Sequence, residues 1–88
     1  MLTPVAGSRF RRDVKLAEKR GKAMQKLRVV LDLLIEEKPL PAHYKGHPLT
    51  GDWASYRDLH IEPDWLLIYR STQTELFLVR TGTHADLF

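Results

Sequence analysis

The chain has 88 residues, no cysteine and a formal net charge of +3. One domain spanning residues 1–88 is expected, with a modest core that buries roughly 60–65 % of the surface exposed in the unfolded chain. The lack of cysteine excludes a disulfide framework and a thiolate metal site, and no run approaches the ~18 apolar residues of a membrane span. Met1 is not followed by the basic and apolar regions of a secretory leader, so a soluble cytoplasmic protein without a membrane partner is expected.

Met1 to Ala6 is short, apolar and bounded by Gly7, which predicts a first strand. Ser8 is placed to cap a helix, its hydroxyl accepting from a backbone N–H two or three residues on. Phe10, Val14 and Ala17 then recur at i, i+4, i+7, and Gly21 offers a left-handed stop. Met24, Leu27, Leu31, Leu34 and Ile35 form a second apolar stripe ending near Glu37, beyond which Pro39 and Pro41 forbid continuation. Residues 38–52 hold three prolines and two glycines and read as a loop, with a short strand near His47–Leu49. Trp53 to His60 reads as a strand, Glu62-Pro63-Asp64 as a turn, and Trp65 to Tyr69 as a central strand buried on both faces. Leu76 to Arg80 follows the turn at Gln73 and Thr74. The predicted fold is α+β: a two-helix hairpin packed on a small antiparallel sheet in the order β-α-α-β-β-β.

Charge is unevenly spread. Residues 1–31 carry nine bases and two acids, residues 32–88 five bases and nine acids, a balance of +7 against −4. Such a basic face suits a polyanion, the alternative being a solvated helix surface. All four histidines, His43, His47, His60 and His84, fall in the acidic half. In an antiparallel meander, the end of one strand, the start of the next and the end of the third meet, which brings His60, Asp64 and His84 together.

Histidine gives or takes a proton near neutral pH, and metal-free RNA cleavage needs a base for the 2′-OH, an acid for the departing 5′-oxygen and cations for the phosphate. Arg57 and Arg80 are candidate cations, and Trp65, Tyr56 or Phe88 a candidate platform for a splayed base. Blander alternatives remain at this point: Asp64 closing the Pro63 turn, Trp53 and Trp65 in the core, Arg57 paired with Asp58 or Glu62. His43-x3-His47 has the spacing of a metal pair but sits among prolines without a third ligand, so neither metal nor cofactor is expected.

HPLTGDW (47–53), YRDLHIEPDWLLIY (56–69) and RTGTHADLF (80–88) closely resemble the YafQ toxins of the RelE superfamily, and DVKLAEKRGK (13–22) and PLPAHYKGHPL (39–49) extend the likeness over nearly the whole chain. The resemblance implies a microbial-ribonuclease-like fold, ribosome-dependent mRNA cleavage and neutralisation by a cognate antitoxin in a hetero-oligomer. It places His84, His60, His47 and Asp64 at functional positions; on them we expect catalysis with His84 as acid, His60 or His47 as base and Asp64 orienting or helping to deprotonate. Substrate contacts are implied for Arg80, on the phosphate, and for Trp65, Phe88 and Asp58, with Arg57 expected beside them from its charge and strand position. The family often continues by a residue past the position of Phe88, so a terminal carboxylate is expected beside that ring. Arg11, Arg12, Lys15, Lys19, Arg20 and Lys22 are expected to face the ribosome. The alternative from another class is a non-hydrolytic, ParE-like toxin that binds a protein such as DNA gyrase.

Overall fold

The computed structural model describes residues Met1–Phe88. The elements in order are β1 (Thr3–Ala6), α1 (Ser8–Lys19), α2 (Met24–Ile35), β2 (His47–Pro48), β3 (Arg57–Glu62), β4 (Trp65–Ser71), β5 (Glu75–Gly82) and α3 (His84–Leu87). Two 3-10 turns, Ala42–Tyr44 and Gly51–Trp53, lie in the loop between α2 and β3.

Helix α1 ends where Gly21 takes φ 77. Its N–H donates to the carbonyl of Glu18 at 3.0 Å and that of Lys22 to the carbonyl of Ala17 at 3.0 Å, closing the last carbonyls as a left-handed terminus does. Helix α2 ends in the same way on Glu37, at φ 57, before the prolines. The start of α1 differs from expectation. Gly7, not Ser8, is the cap residue, and no side chain closes it. The Gly7 N–H donates to the Leu78 carbonyl at 3.1 Å, so the chain runs directly from strand pairing into helix and Ser8 is already helical.

The sheet has five strands in the order β1-β5-β4-β3-β2, and it is mixed rather than antiparallel. β2 to β5 form the expected antiparallel meander, but β1 joins β5 in parallel, with Thr3 opposite Glu75 and Ala6 opposite Leu78. The cause is the route of the chain. After β1 the two helices cross one face of the sheet and return at its far side, leaving β1 on the outer edge of the last strand. Trp53 lies in a 3-10 turn instead of a strand, because Gly51 at φ 66 bends the chain and pairing with β4 begins only at Arg57.

Alternation along the strands divides the side chains. Leu59, Ile61, Trp65, Leu67, Tyr69, Leu76 and Leu78 meet Phe10, Ala17, Leu27 and Val30 from the helices in one core. Asp58, His60, Leu66, Ile68, Phe77 and Val79 therefore fall on the face away from the helices. Within the core, Trp65 is fully enclosed, and its indole N–H donates to Thr81 Oγ1 at 2.9 Å while that hydroxyl donates to the Leu66 carbonyl at 2.7 Å. This relay satisfies the buried polar atoms that a tryptophan core brings with it. No helix is long and apolar enough to cross a membrane.

Candidate active site

The β3–β4 turn and the end of β5 converge as the meander requires. His84 opens α3, directly after β5, while Asp64 sits in the turn before β4. The His84 ring Nδ1 lies 2.6 Å from Asp64 Oδ1, and the His84 backbone N–H donates to the same oxygen at 2.9 Å. These two contacts, the backbone one first, hold the Asp64 carboxyl below the usual carboxylate range. The His60 and His84 rings stand 5.6 Å apart. His60 Nδ1 is 3.3 Å from the Pro63 carbonyl oxygen, which can only accept, so His60 donates from Nδ1, and the neutral ring then carries its lone pair on Nε2.

His47 arrives from β2. Its strand partner is Asp58, and its Nδ1 lies 2.7 Å from Asp58 Oδ1. Asp58 is only 4 % exposed, and Oδ1 makes no well-aligned hydrogen bond. Burial pushes its carboxyl up, opposed by the nearby His47, His60, His84 and Arg57. Three imidazoles thus gather on one end of the outer sheet face, each with Nδ1 against an oxygen.

Several expected site residues are placed elsewhere. Trp65 has no exposed face, so it cannot stack a base. Asp58 lies beneath the surface and touches His47, which makes it a positioning residue rather than a substrate contact. Arg57 shares strand parity with Leu59 and Ile61 and lines a 320 Å³ cavity with Leu2, Leu34, Leu40 and Tyr69, on the helix side of the sheet. It pairs with neither Asp58 nor Glu62. Phe88 is 62 % exposed, with its ring edge-on to Trp53 at 6.4 Å.

Arg80 is held by a residue outside the expected set. Its Nε and Nη2 donate to the two carboxylate oxygens of Asp13 at 2.7 and 3.2 Å, and Asp13 also accepts from the Thr81 backbone N–H at 3.1 Å. β1 stops opposite Leu78, so this stretch of β5 has a free edge that α1 occupies through Asp13. The remaining Nη1 makes no hydrogen bond within the chain. The signal for Asp13 lay in the sequence: it is one of two acids among nine bases. His43 and Lys45 also border the site, lining a 240 Å³ hollow with His60 and Pro63. No three His, Asp or Glu side chains are arranged to hold a metal ion.

The basic helix residues divide. Arg11, Arg12, Lys15 and Lys19 are exposed. Arg20 is tied to Asp86 at 2.7 Å, and Lys22 lies 3.7 Å from Glu62.

Comparison with known proteins agrees with this fold. Residues 2–88 match the family described as the bacterial toxin of type II toxin–antitoxin system, YafQ. The chain is 58 % identical over 80 residues to the mRNA interferase toxin YafQ of Escherichia coli K12, covering 90 % of this chain and 87 % of that one. The crystal structure of YafQ from E. coli BL21(DE3) superposes with a TM-score of 0.95 at 50 % identity, over 100 % of this chain and 99 % of that one. YafQ in the E. coli DinJ–YafQ complex gives 0.93 at 52 % identity over the same shares. With the fold and a near full-length match in common, the chain belongs to the YafQ family of bacterial type II toxin–antitoxin toxins.

Proposed function

We propose that the chain is an endoribonuclease that cleaves mRNA on the translating ribosome in the cytoplasm, by attack of the 2′-oxygen on the adjacent phosphorus. The observation that carries the reading is the set of three imidazoles, each fixed through Nδ1 and free to present Nε2. His60, with its lone pair on Nε2, takes the proton of the 2′-OH. His84, anchored through Nδ1 to Asp64, gives a proton to the leaving 5′-oxygen. The P–O5′ bond breaks as the 2′-O–P bond forms, leaving a 2′,3′-cyclic phosphate and a 5′-OH. His47, set by Asp58, and the free Nη1 of Arg80 face the charge that grows on the phosphoryl oxygens, and the exposed Phe88 ring stacks a flanking base.

A cognate antitoxin binds the chain and holds it inactive; a relative, YafQ of E. coli, has been solved in complex with DinJ as a toxin–antitoxin pair. His84→Ala is expected to keep its melting temperature while losing ~10²–10⁴-fold in cleavage rate, the usual contribution of a general acid or base. Mapping cleavage ends on mRNA with and without ribosomes checks both parts. A variant that cuts within twofold of wild type removes His84 from the reaction.

A further inference from the structure

The outer face of the sheet carries a second feature, at the end opposite the histidines. Val5, Phe77 and Arg70 form one row across β1, β5 and β4, and with Arg9, Tyr56 and Val79 they line a cavity of about 310 Å³. That volume falls at the small end of pockets that take organic ligands, about 300–1,000 Å³. Its lining includes two arginines and no carboxylate. Arg20 and Arg80 are bound by Asp86 and Asp13, whereas Arg9 and Arg70 pair with no acid. Arg70 sits over an aromatic ring instead: its guanidinium carbon is 4.6 Å from the centre of the Phe77 ring.

An aromatic series joins this cavity to the proposed reaction centre. Phe88, at the end of the helix that carries His84, stands 6.4 Å from Trp53, and Trp53 stands 5.4 Å from Tyr56 on the cavity wall. From Leu66, opposite His60, to Arg70 is four residues, or roughly 13 Å of strand. Aromatic and guanidinium planes alternating with free cations are what a single RNA strand needs, since every base has a face to stack and every linkage a charge to meet.

We propose that this cavity is a second base-binding subsite for the mRNA, a few nucleotides from the scissile bond, with Tyr56 and the Arg70–Phe77 stack holding a base and Arg9 meeting the adjoining phosphate. The inference rests on the ribonuclease reading above. The subsite adds affinity, not chemistry, so its loss acts on KM.

Programmed ribosomes test it with Arg9→Ala, Arg70→Gln and the double variant, melting temperatures being measured alongside. The double variant should raise KM about tenfold at a kcat within twofold of wild type, and each arginine removed should flatten the dependence of log KM on log salt by about 0.7. On an mRNA cut short so that it ends before the cavity, variant and wild-type KM should converge. Arg9 is exposed on α1, so Arg9→Ala carries the test if Arg70→Gln unfolds. Unchanged KM and salt slope while wild type cleaves overturns the subsite. So does a variant defect that persists on the shortened mRNA, or one that appears only in antitoxin binding. Failure of wild type to cleave at all refutes the ribonuclease reading instead.

Discussion

Asp58 shows how a single residue serves the site at the expense of the fold. Its carboxyl is enclosed, faces His47 and titrates above the usual range chiefly because of burial. A carboxyl raised in the folded state favours folding while protonated, and that advantage disappears as pH rises from its unfolded to its folded value. At neutral pH its ionised form is therefore a cost that Asp58→Asn removes without changing volume. The variant should melt higher, by about 4–8 °C for a gain near 1 kcal/mol, and cleave more slowly because His47 loses its anchor. Thermal melting at pH 7 with a parallel cleavage assay decides it, and a lower melting temperature contradicts the account. The contact with His47 needs ionised Asp58, so activity also declines as pH falls through the raised value.

Helix α3 is four residues long, too short to stand by intrinsic propensity, yet it carries His84. What holds it is a capping box, with Thr83 accepting from the Asp86 N–H and Asp86 accepting from the Thr83 N–H at 2.9 Å, plus the Arg20–Asp86 pair and the His84 N–H to Asp64. Asp86 is held far below the usual carboxylate range, first by Arg20 and then by the Thr83 N–H. The support it gives is thus present above the ordinary carboxylate range and lost only in strong acid. Asp86→Ala should cost about 1 kcal/mol from the cap, little more from a largely exposed ion pair, and should slow cleavage although every histidine remains. Melting and single-turnover cleavage check this, and full activity would show that α3 is set by Asp64 alone. At this scale much was legible from the sequence. The meander placed His60, Asp64 and His84 together, whereas Arg57, expected on the phosphate, shares strand parity with Leu59 and Ile61 and lies with them on the helix side. The parallel docking of β1 and the hold of Asp13 on Arg80 were not, because pairings 67 or more residues apart leave no periodicity in either partner.

Across the whole molecule, chemistry and charge occupy different regions: the histidines crown one end of the sheet, and Arg11, Arg12, Lys15 and Lys19 spread along α1. Reversing Arg11, Arg12 and Lys15 to Glu should weaken ribosome binding at low salt and flatten its loss with added salt by about one unit of slope per lost contact, leaving cleavage at saturation intact. Binding measured over a salt series checks this, and an unchanged slope would make the face a solvated surface. The parallel pairing of β1 with β5 has a bearing on timing as well as architecture. Thr3 meets Glu75, so the first strand synthesised has no partner until the last one is made. Non-local pairing of this kind forms late, after the loop between the ends has been closed. The histidine end depends on that same last strand and the turn beyond it. A nascent chain therefore cannot complete the histidine end until its last strand has been made, and the interval is one in which a partner can take hold of it first.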